Sequence, residues 1–185
     1  IVAFFFMKNL INQNLLTWYR EDKKSWPWRD FPEQYSVWVS EIMAQQTRLQ
    51  TVLPYFHKWM KAFPTIADLA DASEQDGRII WEGLGYYARA RNLHKAAKKI
   101  ISDFDGQIPN NVIDVQSLPG ISKYTAGAIA SIAFGKNESV VDGNVKRVLA
   151  RVFQITTEIN TPQGTKEIWV IADSLTPDGN AGDFN

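Results

Sequence analysis

The chain has 185 residues, with 20 Lys and Arg balanced by 20 Asp and Glu, 45% apolar side chains and seven Trp. That is enough apolar material for one sizeable domain or two small lobes, and too balanced a composition for an intrinsically disordered chain. With no cysteine and two histidines, disulfides and thiolate metal sites are excluded within these residues, and a zinc site is not expected.

The zero net charge speaks against nucleic acid, but its distribution does not. From Tyr86 to Arg151 there are ten Lys/Arg against five Asp/Glu, whereas from Ile155 onward five acids face one Lys. A basic stretch is masked by an acidic tail. The opening IVAFFFM is far shorter than the roughly 20 residues of a membrane span and lacks the basic start of a secretory signal. Residues 1–6 are therefore treated as an extension before Met7, and the protein is expected to be soluble and cytoplasmic, with no membrane partner.

In chain order the pattern is helical. Residues 8–20 place Leu10, Ile11, Leu15, Leu16, Trp18 and Tyr19 at roughly helical spacing. SWPWRDFPEQ (25–34) has two prolines and predicts an extended connection. A strongly apolar helix follows over 35–48. Pro54 is expected to open the next, near 54–62, and Thr65 to cap a short one over 66–71. Residues 73–82 and 86–102 are two further helices separated by GLGYY. Asp105-Gly106 marks a turn. A short helix over 111–117 stops at Pro119-Gly120, and a helix rich in small residues runs over 123–134. Helices over 143–153 and 163–174 complete the pattern, and TPDGNAGDFN supplies no closing element. No alternating strand pattern of useful length occurs, so the class is all-α.

Leu118-Pro119-Gly120-Ile121-Ser122 joins two of these helices. Pro119 stops the first, and Gly120 permits a tight backbone turn. Such a turn aims N–H groups at the start of the next helix, where an anion can sit. An isolated Pro-Gly turn is more often a plain packing joint; Lys123 and the local basic bias favour phosphate.

LPGISKYTAGAIASIAFG followed by VVDGNVKRVLARV resembles the helix–hairpin–helix and catalytic-aspartate loop of the endonuclease III-like DNA glycosylase superfamily. SVWVSEIMAQQT (36–47) and GLGYYARARNLHKAA (83–97) resemble, more specifically, the adenine DNA glycosylases of A/G and A/8-oxoguanine mispairs. The resemblance runs from about Trp18 to Phe153. It implies a two-lobed helical fold with the active site in the cleft: residues 30–135 forming a six-helix lobe with the hairpin near 112–134, and residues 8–29 with 136–185 forming an incomplete second lobe.

Hydrolysing an N-glycosidic bond calls for an acid to protonate the leaving purine and a carboxylate to stabilise the cationic sugar. Glu41, in the apolar run VWVSEIMA, would hold a proton near neutrality if buried. A lone helix glutamate usually faces solvent, but the resemblance assigns Glu41 the acid role. Asp142 reads as an N-cap, where the helix dipole favours its ionised form; the resemblance adds the sugar-stabilising role. Strand-cutting relatives carry a Schiff-base Lys where this chain has Tyr124, which implies a monofunctional hydrolase.

The resemblance places Trp28 and Arg29 at the adenine pocket and gives Gln46 and Tyr86 the task of entering the duplex, with Gln45, Leu84 and Gly85 beside them. Leu118, Gly120, Ser122 and Lys123 would grip phosphate. Ser122 departs from the usual Gly-x-Gly, a strain if φ there is positive. Along 86–102, Arg89, Arg91, Lys95 and Lys98 are solvated or meet phosphates. The implied partner is double-stranded DNA bearing an A:8-oxoguanine or A:G mispair, bound by a monomer. The resemblance further implies a [4Fe–4S] cluster held by cysteines beyond Asn185, the chain being truncated before them, so no metal or cofactor is expected on these residues. Two alternatives remain: an endonuclease III-like pyrimidine glycosylase and lyase, and a non-catalytic helix–hairpin–helix module.

Overall fold

A computed structural model describes residues 2–185, with side chains from Phe6 onward. Ile1 of the expected extension lies outside the described residues, and the first helix, α1 (Val2–Asp22), runs unbroken through Met7. All regular elements among the described residues are helices: α2 (Pro27–Asp30), α3 (Gln34–Ala44), α4 (Leu49–Ala62), α5 (Ile66–Asp71), α6 (Glu74–Ile80), α7 (Ala88–Asp103), α8 (Val112–Gln116), α9 (Lys123–Phe134), α10 (Gly143–Val152), α11 (Pro162–Leu175) and α12 (Ala181–Phe184). None is long and apolar enough to cross a membrane.

So many short helices persist because their ends are satisfied. Thr65 with Asp68, and Ser73 with Asp76, form reciprocal capping boxes. Asn111, Ser122, Asp142 and Thr161 each accept a backbone N–H of the first turn they precede.

Two buried clusters organise the chain. The larger gathers Trp38, Met43, Trp59, Trp81, Leu93 and Ile129 with neighbours from α2 to α9. The smaller gathers Val141, Leu149, Ile168, Ala172 and Leu175, with Ile11 of α1 and Phe184 of α12 packed against it. Helix α9 is the spine of the first, packing on α3, α8 and α12. Its small residues permit the approach. A Cβ on Gly127 would stand 2.6 Å from the Ser139 carbonyl oxygen, so the returning strand of chain needs glycine there.

Several expected boundaries move. The 25–34 connection contains a helical turn, α2, because Pro27 at its first position presets φ for a helix. Pro54 lies inside α4 rather than at its start; the bond it forgoes, to the carbonyl of exposed Gln50, is replaceable by water. Helix α3 ends four residues early, at Ala44, because the chain turns left-handed at Gln46 (φ 57°). The last ten residues do close the fold. Helix α12 packs on α1 and α9, Arg20 pairs with Asp183 at 3.9 Å and donates to Asn180 at 2.9 Å, and Asn185 donates to Ser131 and to the Glu138 carbonyl. Propensity in TPDGNAGDFN is weak, and tertiary contacts decide it.

Candidate active site and nucleic-acid interface

Glu41 is the eighth residue of α3, whose neighbours Val37, Trp38, Val39, Ile42 and Met43 are all buried. The apolar faces of that helix force Glu41 onto the remaining side, where it lines a cleft of about 750 Å³. Asp142, at the N-terminus of α10, and Tyr124, in the first turn of α9, line the same cleft. Two carboxylates a hundred residues apart in sequence therefore share one cavity.

Their environments differ. Burial pushes the Glu41 carboxyl above the usual glutamate range, and the nearby Arg29 guanidinium only partly opposes it. Asp142 is instead surrounded by donors. Its Oδ1 accepts the backbone N–H of Asn144 at 2.8 Å and of Val145 at 2.7 Å, and its Oδ2 accepts the Asn144 side-chain amide at 3.0 Å. Those bonds favour an acceptor oxygen at each position, and the start of α10 adds its dipole. Burial raises the Tyr124 phenol, and the negative charges of Glu41 and Asp142 raise it further, with Arg29 opposing. Tyr124 is thus held protonated, close enough to feel both acids.

A second hollow of about 240 Å³ shares Glu41, Ala44 and Tyr124 with the cleft and continues to Trp26, Trp28 and Arg29. Trp28, 3% exposed, is fixed by stacking on Trp26 at 5.4 Å and by the edge of Phe56 at 4.8 Å. Arg29 Nη1 donates to the Gly182 carbonyl of α12 at 2.8 Å. An aromatic wall, a carboxyl and a guanidinium thus meet around one hollow.

The hairpin is α8, residues 117–122 and α9. Gly120 takes φ +79°, and a Cβ there would stand 2.7 Å from Asn92 Cβ. Ser122, by contrast, has φ −85° and ψ 168°, ordinary extended backbone, and caps α9 by accepting the Thr125 N–H at 3.2 Å. The departure from Gly-x-Gly therefore costs no strain here; it gains a cap. Gly120 and Ser122 both face the cleft. Lys123 Nζ sits 3.6 Å from the centroid of the Trp169 ring on α11.

Not every expected surface residue is at the surface. Leu84 and Leu118 are packed in the main cluster, where they anchor their turns and leave neighbours to face outward. Gln45 donates to Thr125 at 3.3 Å, tying the end of α3 to the start of α9. Gln46 and Tyr86 are exposed, both left-handed, with Tyr86 at φ 49° and 62% accessible. Tyr87, beside it, is 40% exposed. Arg89 is the largest correction: it is neither solvated nor free for phosphate but 7% exposed, with its guanidinium on main-chain carbonyls. The signal was available, since position 89 continues the buried stripe of Leu93, Ala96, Ala97 and Ile100 by one helical turn. Thr125, bonded to distant Gln45, and Asn144, bonded within its own turn, were also unmarked in the sequence, because no periodicity discloses such bonds.

No cluster of His, Cys, Asp or Glu suited to a metal ion occurs among the described residues, and the chain holds no cysteine. The thiolate set of an iron–sulfur cluster is not supplied by these residues.

The family model for the HhH-GPD superfamily of base excision DNA repair proteins matches residues 39–172, well over half of the chain. Adenine DNA glycosylase of Homo sapiens is 44% identical over 93% of the chain, and that of Buchnera aphidicola subsp. Baizongia pistaciae is 42% identical over 94%. The chain spans 33% and 49% of those two relatives. Among solved structures, a thermostable thymine-DNA glycosylase superposes with a TM-score of 0.88 at 29% identity, covering 96% of this chain and 82% of that one. An endonuclease III–DNA covalent intermediate superposes with a TM-score of 0.78 at 18% identity over the same shares and shows the shared fold. With the hairpin, the aspartate-capped helix and the glutamate-lined cleft in one matched segment, the chain belongs to the HhH-GPD superfamily of base excision DNA repair proteins.

Proposed function

We propose that the chain is the catalytic part of a DNA glycosylase that hydrolyses the N-glycosidic bond of adenine mispaired with 8-oxoguanine or guanine and leaves an abasic site. The observation that carries the reading is the pair of carboxylates with opposed surroundings facing one cleft. Glu41, disfavoured as an anion by burial, is the acid that gives a proton to the purine, which leaves poorly as an anion. Asp142, bound by three donors, is the carboxylate that stabilises positive charge on the sugar. Water then adds to the sugar carbon and passes a proton to the Glu41 carboxylate, which restores the acid. Tyr124 offers an O–H between the two acids but no amine, so no Schiff base forms at that position and the strand stays intact.

A stacked base cannot reach this site, so the adenine must leave the duplex. Gln46 and Tyr86 are the side chains placed to occupy the gap, and the hollow of Trp26, Trp28 and Arg29 receives the base. The turn of Gly120 and Ser122, with Lys123, holds backbone phosphate. The protein works on double-stranded DNA as a monomer in the cytoplasmic compartment that contains it.

The test is incubation of the purified chain with a duplex carrying one A opposite 8-oxoguanine, followed by hot alkali. Strand cleavage at the adenine only after alkali, absent in Glu41→Gln, is the expected result. Cleavage without alkali together with a borohydride-trapped adduct would refute the monofunctional assignment. A parallel duplex with T opposite G tests the pyrimidine alternative, and specific binding without base loss from either duplex would favour a non-catalytic module.

A further inference from the structure

Arg89 is a buried cation without a counter-ion. No carboxylate pairs with it among the described residues, and burial pulls its guanidinium below the usual arginine range. Such a group is costly unless its donors are well used. Here the Nη donors are spent on two turns, while the buried Nε has no hydrogen-bond partner. Nη1 donates to the carbonyls of Met43 at 2.7 Å and Gln45 at 2.6 Å, and to Thr47 Oγ1 at 3.2 Å. Nη2 donates to the carbonyls of Leu84 at 3.3 Å and Gly85 at 3.1 Å. The guanidinium carbon lies 5.2 Å from the Trp81 ring centroid and 5.3 Å from that of Tyr86, while Trp81 Nε1 also donates to Gly85 at 2.9 Å.

The first turn carries Gln46, and the second carries Tyr86. Both tips are exposed, non-glycine residues in left-handed backbone, a conformation that costs energy unless its surroundings impose it. One rigid planar fork reaches both turns, a span that a single ammonium lacks. We infer that Arg89 is a positioning residue that rivets the Gln46 turn to the Tyr86 turn, so that the two tips enter the duplex as one rigid pair. The inference rests on the glycosylase reading for what the tips do. The rivet itself can be measured without DNA.

Native-state hydrogen exchange on the unaltered chain should show the amides of residues 45–47 and 84–87 opening together, with one free energy and one denaturant slope. Arg89→Met, with Arg89→Lys as the milder variant, should raise exchange at both turns by tenfold or more while α9 and α11 are unchanged. On DNA carrying 2-aminopurine opposite 8-oxoguanine, the same variants should lose at least tenfold in preference for the mispair over a matched duplex, with affinity for the matched duplex within threefold. The losses in Arg89→Lys and Gln46→Ala should fall short of additive when combined. Independent opening of the two turns, or strictly additive losses, would overturn the rivet. Absence of mispair preference in the unaltered chain would count instead against the glycosylase reading, and the exchange data would still decide the role of Arg89.

Discussion

Asp142 has two jobs in one side chain, and a pair of substitutions separates them. Its Oδ1 holds two backbone N–H groups at the start of α10, at 2.8 and 2.7 Å. Removing such a cap costs about 1–2 kcal/mol. At about 2–4 °C per kcal/mol for a chain of this size, Asp142→Ala should melt roughly 2–8 °C lower. Asparagine keeps a carbonyl oxygen where Oδ1 is, so both cap bonds survive. What Asp142→Asn forfeits is the charge facing the helix dipole, about 0.3–1 kcal/mol, and the acceptor for the Asn144 amide. Asn144 cannot simply flip, because its own oxygen takes a bond from Arg147. Asp142→Asn should therefore melt within about 4 °C of the parent. Yet both variants lose the anion facing the sugar. Losing one preorganised electrostatic partner of a developing charge costs about 10²–10³ in rate, and both should fall by that factor in single-turnover adenine release. Thermal melts and a time course under enzyme excess measure the two effects side by side. An Asp142→Asn protein that melts normally and excises within a few-fold of the parent would reduce Asp142 to a cap and remove half of the proposed chemistry.

The remaining expectations concern the acid, the hairpin and its lysine. Because burial raises the Glu41 carboxyl, the folded protein binds that proton more tightly than the unfolded chain does; the associated stability is complete below the ordinary glutamate range near pH 4.3 and is lost as pH rises through the folded value. Glu41→Gln should therefore match the parent in acid and exceed it at pH 8 in urea midpoint, and a variant weaker than the parent at pH 8 would contradict the burial argument. Gly120→Ala places a Cβ in left-handed backbone and against Asn92. It should cost at least about 1–2 kcal/mol by urea titration and weaken duplex binding, whereas Ser122→Gly should lower stability only by the loss of its cap. Lys123→Ala should reduce the slope of log K against log salt by about one; an unchanged slope would confine Lys123 to its contact with Trp169.

What was legible in the sequence was whatever one helix could encode. The apolar run around Glu41 disclosed both the helix and the unusual setting of its acid, and Asp142 before Gly143-Asn144 disclosed a cap. The hairpin was visible because Pro119 and Gly120 allow few other backbone paths. Three things were not legible. The left-handed turn at Gln46 ends α3 early through contacts with α7 and α9, which no local propensity contains. Arg89 was masked by composition: in a stretch rich in Arg and Lys it reads as one more surface charge, although its position on the buried stripe of α7 sets it apart. The closing helix α12 has little intrinsic helical preference, and it forms because α1 and α9 offer it partners.

That last element bears on the chemistry. Arg29 is the charge that moderates Glu41, and its guanidinium is held by a carbonyl of α12. The same short helix is tied to α1 by Arg20 and lies against Ser131 of α9, where a Cβ on Gly182 would come within 2.8 Å of a carbonyl oxygen. The proton affinity of the acid thus depends on packing between residues at opposite ends of the chain. Burial of Glu41 is the larger influence on its proton affinity, and α12 holds the Arg29 guanidinium that partly opposes it. Loosening α12 should leave the cleft lined by the same residues and yet change the pH at which the acid is armed, because an Arg29 drifting away from Glu41 removes the one attraction that opposes burial.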